Sequence, residues 1–600
     1  MISRRAILRS AALLPAAARS QQPAIYLSDF SQCRPASALS RESKRNCWRL
    51  LPYESSAANG VMLIAGQNTA APEITIPLDV RGWHAIHFGL RSAYGETRIE
   101  VRLPSDPAFC LMTHHDMTGM KIERRDIEFL GTSFNSRTRV DDLFWKCADL
   151  TGEHIVLRQP TVETTADHPG GSGLISHPVW LAYVKLVPLT AEEVRELQRS
   201  RAGPDHRRLF AHNDAFGSTG WLRTSTEADI RREIEPYRDT DFSRIYWEAG
   251  MGDRMYYPTR IGLRTSDRWI SDPFRVRDRL NAESYREFEN RGSDPFRVAA
   301  DAAHHARLEF HAAYRVAGFH FPPPEDEWNR GGLYDQHPEW RGRGRDGRET
   351  PRLSYAYEGV RKYVLSLLRE IAEYPVDGLC LLFNRRPPLL EYEQPLTGSF
   401  ARATGKNAHE LAEDDPEWLR HRASVMTAFL REVRTLARQR PKPLAVTAVV
   451  MGTESQNLYY ALDLATWVRE GLVDTIIPYS SGPTLNSALD TFTQPRDAEY
   501  FLKLVQGTPC KFAPNLMPRQ IPPEEYRRRA DLLYQAGVEN LFFWDCYQRS
   551  DFSHSWSALR RLGHREEIRA WVKSGSPALS RPGATLRKVG DWDLRYETPG

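Results

Sequence analysis

LSYAYEGVRKYVLSLLREIAEYPVDGLCLLFNRRPPLLEYEQ, residues Leu353 to Gln394, is the stretch on which the fold turns. Val360, Tyr363, Val364, Leu367, Leu368 and Ile371 recur at the three-and-four spacing of a helix with one buried face. Pro375 ends that helix, and GLCLLF, from Gly378 to Phe383, is a near-continuous apolar run. Such a run suits a parallel strand covered on both faces, which has no solvent side to mark with polar residues. Polar Asn384, Arg385 and Arg386 follow at once, and Pro387-Pro388 prevent continuation. A helix, a buried strand and a polar exit from the strand's C-terminal end are the repeating parts of an α/β barrel, with its chemistry at that exit.

The same unit recurs on both sides. Strands are expected at Arg208–His212, Ser243–Trp247, Glu309–Tyr314, Asp377–Phe383, Leu444–Val450, Asp474–Pro478, Cys510–Ala513 and Asn540–Trp544, with amphipathic stretches between them. Eight strand-helix units predict a (β/α)8 TIM barrel over residues 205–565. Helix-to-strand turns are short, as in EGLVDTI and QAGVENLFF, whereas several strand-to-helix connections are long. One end is therefore elaborated, the end where barrels bind ligands. A doubly wound open sheet is the alternative, but no Gly-rich phosphate turn follows the first strand.

Upstream the pattern changes. Residues 24–190 hold short alternating runs such as VMLIA, EITIPLDV, HAIHFGLR, TRIEVRL and WLAYVKLVPL, separated by turn-rich pieces. They predict an antiparallel β-sandwich, jelly-roll-like, with an accessory or carbohydrate-binding role. Thr190, with Glu193 three residues on, starts a short helix that Gly203-Pro204 breaks, making 191–204 the linker. Residues 1–20 read as a signal peptide: SRRAILR and a modest apolar run match a twin-arginine type, predicting export to the periplasm or beyond. Residues 575–600 predict a terminal hairpin or tail.

Composition narrows the function. The 600-residue chain is 41% apolar and 26% charged with a formal charge of +4, so it is globular, multidomain and without a basic arm for nucleic acid. No later apolar run reaches the ~18 residues of a membrane span. Seven scattered cysteines form neither a disulfide framework nor a CxxC zinc site, Cys33 and Cys47 being the nearest pair. HPEW offers one histidine without a second at helical spacing, and no phosphate loop or Gly-x-Ser-x-Gly elbow occurs. No metal or cofactor is expected.

Residues just past the predicted strands supply a rim suited to a polyhydroxylated ligand. Asn213, Asp214, Trp247, Arg315, His320 and Asn384 come from the first half of the ring. Arg385, Tyr479, Asn515, Arg519 and Trp544 complete the set of expected substrate contacts. Carboxylates and guanidinium groups bind hydroxyls, and indole faces stack on sugar C–H surfaces. Glycoside hydrolysis needs two carboxyl groups, one protonated and one ionised, ~5–5.5 Å apart for retention or ~6.5–9.5 Å for inversion. Glu248, Glu454 and Asp545, each at or near a strand end, are the candidates.

HFPPPEDEW, HPEW and the Leu353–Glu393 stretch, with VREGLVDTIIPYS and LFFWD later, resemble the bacterial glycosyl hydrolase-like family 10 barrels. The resemblance covers roughly residues 208 to 556 and implies a secreted glycoside hydrolase acting on a polysaccharide or oligosaccharide. The family's fourth strand commonly starts Asp-Gly and ends in acidic residues; Asp377-Gly378 is kept here, but the strand ends in Asn384. Many retaining barrels place their glutamates after strands four and seven, where this chain has Asn384-Arg385 and a carboxylate-free Asn515–Arg519. Two readings follow: chemistry displaced to other strands, or a non-catalytic carbohydrate-binding barrel.

Overall fold

The computed structural model describes residues 23–594 except 68, 92–95, 116–119, 123–126, 130–137, 165–172, 203, 222–223, 269, 272–274, 322, 324, 386, 480–491, 493, 518–520, 545–549, 551–552 and 580–581. The predicted signal segment lies outside the described residues.

The N-terminal region is strand-rich. A nine-stranded sheet and a four-stranded sheet account for most of it among the described residues. Trp83–Leu90 lies inside the larger sheet, antiparallel to both Arg139–Asp149 and Val179–Pro188. Successive strand residues face opposite ways. Ile86, Phe88 and Leu90 therefore enter the core between the sheets, meeting Ile99, Val101 and Leu157 of the smaller one.

In the C-terminal stretch Gly583–Val589 pairs antiparallel with Trp592–Asp593, Lys588 lying opposite Asp593. Gly583–Val589 also pairs with Arg139–Asp149 on one side and with Trp48–Ser55 on the other. The larger sheet thereby curls over a second core of Met62, Ile64, Val140, Tyr183, Leu586 and Val589. Within that core Lys185 Nζ lies 2.7 Å from Asp142 Oδ2, and Tyr183 donates to Asp142 Oδ1 at 2.5 Å. The pair is buried, so removing either partner would leave a costly uncompensated charge.

Thr190 and Glu193 cap the helix Ala191–Ala202, the hydroxyl accepting from Glu193 N at 3.2 Å and the carboxylate accepting from Thr190 N at 2.7 Å. Near the end of that helix, Ser200 Oγ lies 3.0 Å from His564 Nε2, whose Nδ1 lies 2.8 Å from Asp241 Oδ2. His564 also stacks on His206 with centroids 4.1 Å apart. This chain of contacts fastens the linker to the second unit. Arg560, donating to the Trp145 carbonyl at 3.0 Å, and Arg232, 2.5 Å from Glu100, join the sheets to it directly.

The second unit alternates strand and helix. Leu209–Asn213, Phe242–Met251, Glu309–Arg315, Gly378–Leu382, Ala445–Val450, Thr475–Pro478, Lys511–Phe512 and Leu541–Phe543 are its parallel strands in chain order. Each of the first seven pairs with the next except the seventh, which reaches the eighth through one parallel bridge, Asn515 to Phe542. The eighth pairs with the first, so the row returns to its start. Outward residues such as Ile245, Ala312, Leu379 and Val446 join one core with the surrounding helices. Helix Glu358–Ile371 buries Val360, Val364, Leu367, Leu368 and Ile371, the predicted face. Burial of each such side chain is worth about 1.5–3 kcal/mol.

No helix among the described residues is long and apolar enough to cross a membrane. Cys33 and Cys47 are unbonded, as are Cys110, Cys147, Cys380 and Cys510; Cys546 lies outside the described residues.

Candidate functional site

The inside of the ring is packed by Phe210, Tyr246, Ala313, Leu382, Ile477, Ala513 and Phe542, among others. Strand periodicity brings the residue two places further along each strand to the same side, at the C-terminal end. Those residues are His212, Glu248, Arg315, Asn384, Tyr479, Asn515 and Trp544. Seven strands thus deliver one aromatic, amide and charged cluster to one mouth.

Its centre is Glu248, which is fully buried. Arg315 Nη2 donates to Glu248 Oε1 at 2.8 Å, while Nε sits 2.7 Å from Oε2, off the hydrogen-bond line. His212 Nε2 lies 3.1 Å from Oε1 on the other side. Burial pulls the Arg315 guanidinium down, but adjacent Glu248 more than offsets this and holds it above the ordinary arginine range. Arg315 is therefore a fixed cation held against the Glu248 carboxyl group.

The His212 ring stacks on Trp544, with centroids 3.8 Å apart and planes at 17°. Tyr479 meets the same indole edge-on at 5.0 Å. The Arg385 guanidinium lies 4.7 Å from the Trp544 ring centre and 5.5 Å from that of Tyr479. Asn515 Oδ1 accepts the Trp544 backbone N–H at 3.2 Å, which orients its amide. Its Nδ2 has no partner among the described residues, and neither Nδ2 nor Oδ1 of buried Asn384 has one. Buried amide groups are nearly always hydrogen-bonded, so three unmet polar atoms in one mouth call for a ligand that supplies hydroxyls or water.

Several predicted residues are placed elsewhere. Trp247 faces outward into the helix-packing core, because Tyr246 and Glu248 on either side of it face inward. Asn213 also faces out: its Nδ2 donates to Glu233 at 3.0 Å and its Oδ1 accepts from Ala215 N at 2.8 Å. Asp214 accepts from Phe216 N and Gly217 N at the start of a short helix, so one of its oxygens is held by backbone. His320 stacks on Tyr334 in the long third loop, centroids 4.1 Å apart.

Glu454 is exposed in the first turn of helix Glu454–Tyr459, directly after the N-cap Thr453. Its charge acts on Tyr500 of the outer helices. Glu248 is thus buried inside the ring, while a helix start takes Glu454 to the surface. Asp545 and Arg519 lie outside the described residues. His212, at the end of the first predicted strand and so at the expected rim, does join the cluster, two residues after inward Phe210.

Among known proteins, the family model described as glycosyl hydrolase-like 10 matches residues 271–499. The matched stretch includes Arg315, Asn384, Arg385 and Tyr479 and leaves out His212, Glu248, Asn515 and Trp544. No curated protein matches the chain in sequence. Solved structures with some likeness include the β-galactosidase from the psychrophilic Marinomonas ef1, 12% identical with a TM-score of 0.38. That match covers 62% of this chain, which spans 60% of the β-galactosidase. The α-galactosidase TtGalA from Thermus thermophilus is 12% identical over 91% of this chain and 95% of its own, with a TM-score of 0.35. An endo-1,4-β-mannanase from Rhizomucor miehei is 9% identical over 60% of this chain and 95% of its own, at 0.37. Likenesses this distant carry no argument about the chemistry, which rests on the site itself.

Proposed function

We propose that the chain is an exported glycoside hydrolase built on a (β/α)8 barrel at about 205–565, with a jelly-roll-like sandwich at about 24–190 as its accessory unit. Export by a twin-arginine signal in residues 1–20 belongs to the same reading. The observation that carries it is Glu248, buried and held between Arg315 and His212, beside the unmet amides of Asn384 and Asn515. The family match over 271–499 supports it.

In this reading Glu248 is the ionised carboxylate, and Asp545, next in sequence to Trp544, is the second carboxyl group. Strand one lies between strands two and eight, so His212 separates the elements from which the two acids come. One acid protonates the departing glycosidic oxygen while the ionised one stabilises or captures the sugar cation, and water completes the cleavage. Trp544 and Tyr479 supply faces for a sugar ring, and Asn384 and Asn515 bind its hydroxyls.

A second reading, a carbohydrate-binding barrel without turnover, is favoured by the exposed position of Glu454 at a helix start and by the engagement of Glu248 in an ion pair. Reducing-end release across a glycan library, paired with binding to the same glycans, separates the two. Turnover that disappears in Glu248→Gln and Asp545→Asn supports hydrolysis. Binding of any glycan with no release supports the second reading, and neither binding nor release sinks both.

A further inference from the structure

A second cleft lies where the N-terminal sheet, the linker helix and the other end of the ring meet. Its ring residues precede strands: Arg207 precedes the first, Asp239 and Asp241 the second, and Arg307 the third. Five guanidinium groups line it, those of Arg201, Arg207, Arg307, Arg560 and Arg561, against the two carboxylates Asp239 and Asp241.

The carboxylates are already committed. Asp239 lies 3.4 Å from Arg201 and 2.5 Å from Arg307. Asp241 accepts from Gly563 N and contacts His564, both at 2.8 Å. Arg561 pairs with Glu567 at 2.7 Å. Arg207 and Arg560 form no ion pair among the described residues. Arg207 donates to the carbonyls of Phe242 and Arg307, and Arg560 to that of Trp145 while lying 5.2 Å from the centre of the Phe144 ring. Arg201 Nε and Arg561 Nε are buried with no acceptor. Burial holds the Arg207 and Arg560 guanidinium groups below the ordinary arginine range; Arg307 adds to this at Arg207, against the pull of Glu309, Asp239 and Asp241, and Arg561 and Arg201 add to it at Arg560. With five guanidinium groups against two carboxylates, the desolvated cations are in excess, and a multivalent anion would relieve that cost at several of them together.

We propose that this cleft binds a small polyvalent oxyanion, the phosphate or sulfate group of a free ion or of a substituted sugar, and so locks the N-terminal sheet against the ring. Guanidinium forks match such groups through paired N–H donors. Because Phe144 and Cys147 come from the sheet, Ser200 and Arg201 from the linker, and Arg207 and Arg307 from the ring, one ligand touches all three. The site is separate from the glycan mouth and stands whether or not the barrel hydrolyses anything.

The test is titration calorimetry and thermal unfolding of the full chain with inorganic phosphate, sulfate, glucose 6-phosphate and glucose 6-sulfate, each against sodium chloride of equal ionic strength. Saturable binding and a Tm that rises with ligand concentration are expected. Arg207→Gln and Arg560→Gln should each weaken binding about tenfold to a hundredfold, the loss of one charge-assisted contact. Each variant is judged by its own ligand-induced shift. Should Arg560→Gln fail to fold, Arg207→Gln carries the test. Tighter binding of the sugar esters assigns the site to a substituted sugar, and equal or tighter binding of the free ions assigns it to those. No saturable binding by any of the four, or an equal Tm rise in wild type and Arg207→Gln, overturns the proposal, since excluded salts also raise Tm without a site.

Discussion

Arg315 closes on Glu248 with two nitrogens, Nη2 on Oε1 at 2.8 Å and Nε near Oε2 at 2.7 Å, at the meeting of strands two and three. Breaking a buried pair leaves an uncompensated charge, which costs about 3–5 kcal/mol. Arg315→Met should therefore lower the denaturant-derived stability by roughly that amount. Glu248→Gln keeps the shape but leaves Arg315 without its counter-charge, so it should cost a comparable amount while abolishing turnover on a confirmed glycan. A stability close to wild type in both variants would contradict the pairing described.

Asn384 and Asn515 separate a ligand role from a structural one. An amide that has no internal partner gains little from folding, and an apolar group of similar shape in its place is neutral or stabilising. Asn384→Leu should leave Tm unchanged or raised, yet weaken glycan binding about threefold to tenfold for the lost hydrogen bond. A Tm drop without any change in binding would make Asn384 a packing residue.

Strand positions in the ring are legible in sequence to within a residue or two for most strands, because runs such as GLCLLF bounded by Pro375 and Pro387 permit little else. Which way each side chain points is not legible there. A strand covered on both faces has no polar and apolar alternation to read, so Trp247 and Glu248 look equally well placed until Tyr246 is seen inside the ring. Glu454 carries a clearer warning. Thr453 followed by Gln456 three places on is the signature of a helix start, and Thr453 Oγ1 does accept from Gln456 N at 3.3 Å. The pairing of Gly583–Val589 with Trp48–Ser55 has no local signal at all, since it joins segments from opposite ends of the chain.

Glu454→Gln follows from that placement. An exposed acid in the first turn of a helix interacts favourably with the helix N-terminus by about 0.3–1 kcal/mol. The amide variant should lose no more than that and keep full turnover. A loss of kcat with the fold intact would return Glu454 to the mouth.

Acid stability should depend on His87. The imidazole is buried with neither nitrogen bonded and packs edge-on against Phe144, 5.3 Å away. Burial, with Lys185 nearby, pushes it down from 6.5 to about 4, opposed by Asp142. Between those values the unfolded chain binds the proton and the folded chain does not, so stability rises with pH there. The contribution is fully present above about pH 6.5 and is lost as pH falls toward about 4. His87→Leu should flatten the acid limb of the stability curve, measured by urea unfolding at pH 7, 5.5 and 4. Parallel limbs in wild type and variant would remove His87 from the account.

The terminal strand makes the N-terminal unit depend on the far end of the chain. Gly583–Val589 lies between Arg139–Asp149 and Trp48–Ser55, and its Leu586 and Val589 cover the core that holds Tyr183 and the Lys185–Asp142 pair. Truncation before residue 582 would expose two strand edges and the apolar surface those side chains bury, worth about 1.5–3 kcal/mol each. Water would also reach the ion pair and weaken its attraction. The ring's own strand pairings do not include this segment. Scanning calorimetry of the truncated chain should therefore show an early transition from the sheets ahead of the one from the ring, with protease cleavage appearing first within residues 24–190. A single transition at the temperature of the full chain, with no new cleavage there, would show that the pairing contributes nothing to the unit's stability.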